Sequence, residues 1–342
     1  MGDVILTLPT CGALRRALPS VKIGMLVSRY VGAIVEHNPL IDAIIWSDDA
    51  KGNPVPFHAI SRELRGHHFD AAVIARPTPR IAWLVARSGI PLRVGTGYRW
   101  YSALFNRRVY DHRKTAERHE VEYNLRLMGA LGFEIPDLHT CAEFGITPSA
   151  EAKHSVDHIL QSFGIIKDQP FVILHPASGG SARDWPPERF CELSTELCSK
   201  HRIAVVVTGT VGDEKIVRRV MRGAPAAIVS LAGLLNLPQL IALIDRATVL
   251  VANSTGPLHL AVALGAPVVG LYPPVTPMSA KRWGPYAPGA AVLTGNGPVD
   301  CDRCSSGVPC NCMLGITVAQ VEGEVMRLID SGRVQDRSRI GS

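Results

Sequence analysis

The chain has 342 residues, 46% of them hydrophobic and 19% charged, with a formal net charge of +6. That is long enough for two domains with separate cores, and too apolar for a disordered chain. Its longest apolar runs, such as 203–207, are far too short to cross a bilayer, and Met1-Gly2-Asp3 has no basic segment of a secretory signal, so a cytoplasmic location is expected.

In chain order, Gly2 and Asp3 read as a helix N-terminus, with helical pattern at 12–18. The strand that ordinarily opens an α/β domain does not precede them, so either the first domain lacks it or the start of the given sequence omits it. Strands are expected at 21–27, 43–46 and 71–75, and helices at 80–87 and 117–131. Residues 136–150 have little periodicity and many turn formers, which places a boundary near 150 and gives domains 1–150 and 151–342. Beyond it, strands at 171–175, 203–208, 227–230, 248–252 and 268–272 alternate with helices at 187–200, 213–221, 238–245 and 257–264. This alternation predicts two doubly wound α/β domains.

Charge is uneven. Residues 76–118 hold ten cations (Arg76, Arg80, Arg87, Arg93, Arg99, Arg107, Arg108, Arg113, Lys114 and Arg118) against Asp111 and Glu117, with Tyr98, Trp100, Tyr101 and Phe105 among them. Such a run either solubilises a surface or draws an anionic ligand or an acidic membrane face. No nucleic-acid recognition module accompanies it.

Three turns after expected strands carry the chemistry. The stretch "NSTGPLHLAVALGAPVVGLY" begins with Ser254 and Thr255, strong N-cap residues, and has Pro257 in the first helical turn. Free N–H groups and hydroxyls at such a helix start suit a phosphate, and His259 lies one turn in. "HPASGGSARDWP" supplies small residues and Arg183, and "TGTVGDE" follows the next strand. Loops beyond strand C-termini form the ligand crevice of a doubly wound sheet. There is no G-x-x-x-x-G-K-[ST], and Gly95-Thr96-Gly97 is too incomplete for a dinucleotide fingerprint.

"GSARDWP", "NSTGPLHLAVALGAPVVGLY", "GDVILTLPTCGALRRALP" and "HEVEYNLRLMGALG" together resemble glycosyltransferase family 9, which contains the lipopolysaccharide heptosyltransferases. The resemblance covers nearly the whole chain. It implies a GT-B fold of two Rossmann-like domains facing across a cleft, and an inverting transferase that needs no metal or cofactor. The donor, usually ADP-heptose, would bind the second domain. The acceptor, an anionic lipopolysaccharide-type saccharide at the cytoplasmic membrane face, would bind the first. By position, Asp3 matches the general base, whose other reading is a helix N-cap. Arg183 stands where the family usually has Lys. Ser178, Gly179, Gly180 and Ser181 match the phosphate-side loop, with Thr208 and Gly209 after the next strand. Leu235 falls at the nucleobase, and Thr255, Gly256 and His259 match the diphosphate motif.

Two departures stand out. Ser254 replaces the motif's Asp, which contacts the donor sugar, and the family's acidic residue after the second strand has no clear match near Val211, Gly212 and Asp213. The sugar is therefore open: a transferase using another nucleotide sugar, or a non-catalytic nucleotide-sugar-binding protein, are the alternatives. Cys301, Cys304, Cys310 and Cys312 form a late C-x2-C-x5-C-x-C cluster that fits either a structural zinc or free thiols.

Overall fold

The computed structural model describes residues 1–134, 137–138, 142–225, 227–301 and 311–340, with side chains described to residue 331. The chain divides into two compact units, Met1–Ile146 and Thr147–Ser342.

The first unit opens with the short helices α1 (Gly2–Ile5) and α2 (Leu8–Ala17). Then follow β1 (Gly24–Val27), α3 (Gly32–Val35), β2 (Ala43–Trp46), α4 (Phe57–Gly66), β3 (Ala71–Val73), α5 (Pro79–Arg87), β4 (Leu92–Thr96), β5 (Arg107–Val109) and α6 (Glu120–Gly129). Its strands do not make the single doubly wound sheet expected from the sequence. Among the described residues β1 pairs only with β2, and β3, β4 and β5 form a separate parallel sheet. No strand among the described residues pairs with both β1 and β3. The Phe69 ring lies against β1 instead, 2.5 Å from where a Cβ on Gly24 would stand.

Two boundaries moved for local reasons. β1 starts three residues later than expected because the Asp42 carboxylate takes the Ile23 N–H at 2.8 Å. Helix α6 starts at Glu120 because His119 caps it, its Nδ1 accepting from the Val121 N–H at 3.2 Å. Gly95 and Gly97 on and beside β4 have a packing role. A Cβ at either would collide with the rings of Phe105 and Tyr110 respectively.

The second unit comprises α7 (Ala150–Ser162), β6 (Phe171–His175), α8 (Pro187–Ser199), β7 (Ala204–Val207), α9 (Glu214–Val220), β8 (Ile228–Ser230), α10 (Leu237–Arg246), β9 (Val249–Asn253), α11 (Gly256–Ala263), β10 (Val268–Tyr272), α12 (Ala280–Trp283), β11 (Ala291–Thr294) and α13 (Val318–Ile340). Six parallel strands run in the order β11-β10-β9-β6-β7-β8. This is the doubly wound order, reversing between β6 and β9. Every residue of β6, β9 and β10 is buried, as a parallel sheet covered by helices on both faces requires. Val321, Val325, Leu328 and Ile329 of α13 close one face of that core together with Phe190, Leu193 and Leu197 of α8. Each such apolar side chain contributes roughly 1.5–3 kcal/mol by leaving water. No helix among the described residues is long and apolar enough to cross a membrane.

Candidate functional site

His175 at the end of β6 is in register with Ala252 of β9, so the segments leaving these strands begin side by side at the reversal point. After β6 the backbone turns tightly at 178–182. The Ser178 hydroxyl accepts from the Ala182 N–H at 3.3 Å and donates to the Ala182 carbonyl at 3.1 Å. The Ser181 hydroxyl donates to the Ser178 carbonyl at 2.8 Å and reaches the Ser254 carbonyl at 3.3 Å. Gly179 and Gly180 have φ of +59° and +82°, both exposed. Glycine adopts this left-handed pair without strain, and no side chain blocks an approaching ligand.

Asn253 ties the two segments together. Its side-chain nitrogen donates to the Pro176 carbonyl at 2.7 Å, and its oxygen accepts the Trp185 N–H at 2.9 Å. Trp185 is fully buried, and its indole N–H donates to the Ile316 carbonyl at 2.9 Å. These bonds pin both ends of the loop that carries Arg183, which is itself part-buried. Burial holds the Asp184 carboxyl above the ordinary carboxylate range, against hydrogen bonds from the Ser178 hydroxyl and N–H and the nearby Arg183 charge.

Thr255 occupies the N-cap position of α11 with extended backbone, φ −141° and ψ 169°, but its side chain makes no capping bond. Its hydroxyl is buried and has no partner among the described residues. The capping role expected for Thr255 is therefore not formed, and a polar atom stands uncommitted at a helix N-terminus. Gly256 and Pro257 begin that helix. His259, one turn in, is 4% exposed, with its ring 6.4 Å from that of Trp283. Ser254 is also buried. Its hydroxyl is hydrogen-bonded to the Tyr272 phenol, whose own O–H donates to the Trp283 carbonyl at 2.9 Å.

A second group lies at the ends of β7 and β8. Thr208 is buried, its hydroxyl 2.9 Å from Nδ1 of the buried His175. Burial lowers the His175 pKa to about 4, so the ring is neutral near pH 7. The Gly233 N–H donates to the Gly209 carbonyl at 2.9 Å, joining the loops after β7 and β8. Leu235 lies part-buried two residues further on, beside exposed Leu234. Asp213 accepts from both the N–H and hydroxyl of Thr210 at 2.7 Å, so it caps the turn leading into α9.

Asp3 lies in the first unit, in the first turn of α1. It does not cap that helix: Met1 holds the cap position, and the Asp3 carboxylate faces Arg76 at 3.3 Å. The basic run of 76–118 is in good part structural. Arg76 and Arg113 pair with Asp3 and Glu120. Arg80, Arg93 and Arg108 donate to the carbonyls of Val55, Leu104 and Phe105. Arg107, Lys114 and Arg118 are exposed. In the late cysteine cluster, Cys304 and Cys310 lie outside the described residues, and the described ones hold no group of three or more potential metal ligands.

The switch point thus unites Ser178–Ser181, Arg183 and Ser254–His259, while Thr208, Gly209 and Leu235 form a neighbouring cluster. Sequence reasoning missed Asn253, Asp184, Tyr272 and Trp283. The one available signal was Asn253, a polar residue closing an otherwise apolar strand.

The sequence model for glycosyltransferase family 9 (heptosyltransferase) matches residues 57–306. A lipopolysaccharide heptosyltransferase 3 of Escherichia coli is 24% identical over 279 residues, 79% of this chain and 80% of the relative. A family 9 glycosyl transferase of Veillonella parvula superposes with a TM-score of 0.81 at 22% identity, covering 96% of this chain and 94% of that one. The E. coli heptosyltransferase WaaC, solved with ADP, gives 0.71 at 20% identity, covering 96% and 97%. The parallel α/β units are those of the GT-B fold, and the chain belongs to glycosyltransferase family 9, the heptosyltransferases, as a sugar-transferring enzyme.

Proposed function

We propose that the protein transfers heptose from ADP-heptose to an anionic saccharide of the lipopolysaccharide inner-core type, with inversion at the anomeric carbon and without a metal. The observation that carries this reading is the uncommitted, buried Thr255 hydroxyl at the N-terminus of α11, next in sequence to Ser254, whose carbonyl the Ser181 hydroxyl of the glycine loop reaches at 3.3 Å. A helix N-terminus, a hydroxyl and a guanidinium are the donors that a diphosphate requires.

In this reading the acceptor hydroxyl attacks the anomeric carbon from the face opposite the nucleotide, and Asp3 takes its proton. The bond from the anomeric carbon to the β-phosphate oxygen breaks, and its electron pair leaves with ADP. Arg183 and the α11 N–H groups offset the charge that grows on that oxygen, the role a metal ion plays elsewhere. Exposed Trp100, next in sequence to exposed Arg99, offers a stacking face and a cation to acidic sugars.

One observation favours a different nucleotide sugar. Residue 254 is a serine whose hydroxyl is bonded to Tyr272, so this position offers the donor sugar no carboxylate. Calorimetric titration of the protein with ADP in EDTA tests the diphosphate site: binding is expected, and no binding except with an added divalent ion would overturn the metal-free reading. The same titration with UDP and GDP identifies the base.

A further inference from the structure

Helix α1 has four residues, too few to hold a position by its own hydrogen bonds. Something outside it must fix Asp3. Two polar side chains of α6 that face inward are otherwise unexplained: Glu120 is 5% exposed and Asn124 3%. Buried polar groups are costly unless they are bonded, so their partners show what they do.

The Asn124 Nδ2 donates to the Leu6 carbonyl, at the end of α1, at 3.0 Å and to the Thr7 hydroxyl at 3.4 Å. The Thr7 hydroxyl in turn donates to the backbone carbonyl of Asp3 at 2.7 Å. On its other side, the Asn124 Oδ1 accepts from Arg113 at 3.1 Å, and Arg113 also pairs with Glu120. Arginine only donates, so it fixes which end of the amide is oxygen and turns the NH2 toward α1. The chain of bonds runs from Glu120 through Arg113, Asn124 and Thr7 to the residue that carries the carboxylate.

We infer that Asn124 is a positioning residue for transfer: with Thr7, and oriented by Arg113 and Glu120, it holds Asp3 in place for the acceptor proton. This rests on Asp3 being the base. It gives Arg113 a role other than contact with an anionic partner, and it accounts for the buried polar residues of "HEVEYN".

The test uses the full chain in steady-state transfer with ADP-heptose. Asn124→Asp keeps an acceptor for Arg113 but loses the NH2, setting an oxygen against the Leu6 carbonyl. Thr7→Val removes the hydroxyl alone, and Thr7→Ser keeps it. Thr7 makes no capping bond to α2, so the Thr7 pair remains informative if Asn124→Asp folds poorly. Asn124→Asp and Thr7→Val are expected to lower kcat about 10–100-fold, the order of a misplaced catalytic group, with donor KM within about twofold. Thr7→Ser is expected to keep most of the activity. Wild-type kcat in Thr7→Val, or equal losses in Thr7→Val and Thr7→Ser, would overturn the positioning role. Asp3→Asn separates the two readings. If it is inactive while Thr7→Val is normal, only the positioning inference fails. If it transfers at the wild-type rate, the base reading fails and takes this inference with it.

Discussion

Replacing Thr255 by Val should move stability and affinity in opposite directions. Valine has the same branched shape and accepts the extended backbone of residue 255, so packing is nearly unchanged. The hydroxyl is buried and has no partner among the described residues, so the substitution breaks no protein hydrogen bond. An unpaired buried hydroxyl costs about 1–3 kcal/mol. Taking the low end, about 1 kcal/mol, the ligand-free second unit should melt about 2–4 °C higher. A bound diphosphate would lose a charge-assisted hydrogen bond, about 1.5–3 kcal/mol. That corresponds to a Kd for ADP roughly 10–150-fold weaker. Thermal denaturation with and without ADP, together with calorimetry, reads both effects. In the variant, the Tm gain from saturating ADP should shrink although the starting Tm is higher. A lower Tm with unchanged ADP affinity would refute the reasoning, because the hydroxyl would then be serving the fold.

Arg183→Ala should weaken ADP binding and slow transfer by on the order of 2–4 kcal/mol, as loss of one stabilising donor does. Arg183→Lys should be milder, since the charge survives but the fork does not; equal losses in the two would mean that geometry outweighs charge. His175, with its pKa lowered to about 4 by burial, stays neutral in the folded protein while the unfolded chain protonates near 6.5. Between those values the unfolded state binds more protons, so stability is full above about pH 6.5 and falls as pH drops toward 4. His175→Asn should flatten the dependence of the denaturation midpoint over that window, and an unchanged slope would count against it. Replacing the exposed Arg107, Lys114 and Arg118 together by Ser should raise acceptor KM and reduce its salt dependence, because exposed charges are screened within about 8–10 Å. Arg113 is left intact, since its loss would leave buried Glu120 without that partner. An acceptor KM indifferent to salt and to the triple change would reduce these cations to a solvated surface.

The second unit was the more legible from sequence. Strands β6, β9 and β10 are unbroken apolar runs, and the glycine, proline and hydroxyl punctuation between them marks turns of limited type. The first unit was less so. Strand β4 contains Arg93 and Gly95 and β5 is Arg-Arg-Val, so neither carries a strand period; their residues look polar because three of those arginines bond backbone carbonyls or solvent. Helices α4, α7 and α13 went unseen too, although each buries apolar residues at helical spacing, such as Ile60 and Leu64, Val156 and Leu160, and Val321 and Val325. At the site, the loop positions were readable because glycine and N-cap chemistry is local. What Thr255 does with its hydroxyl, and that Ser254 turns to Tyr272, depends on neighbours distant in sequence. Which cations of the basic run are paired is hidden for the same reason: Arg113 has its carboxylate partner in Glu120, just outside the run.

The most direct measurement is a single reaction. Purified protein is incubated in EDTA with ADP-heptose and an inner-core acceptor, and ADP, product mass and anomeric configuration are followed together. The account predicts ADP release only when acceptor is present, a product heavier by one heptose, and an anomeric configuration opposite to that of the donor. Retained configuration, or an ADP-heptose left untouched while another nucleotide sugar is consumed, would contradict it.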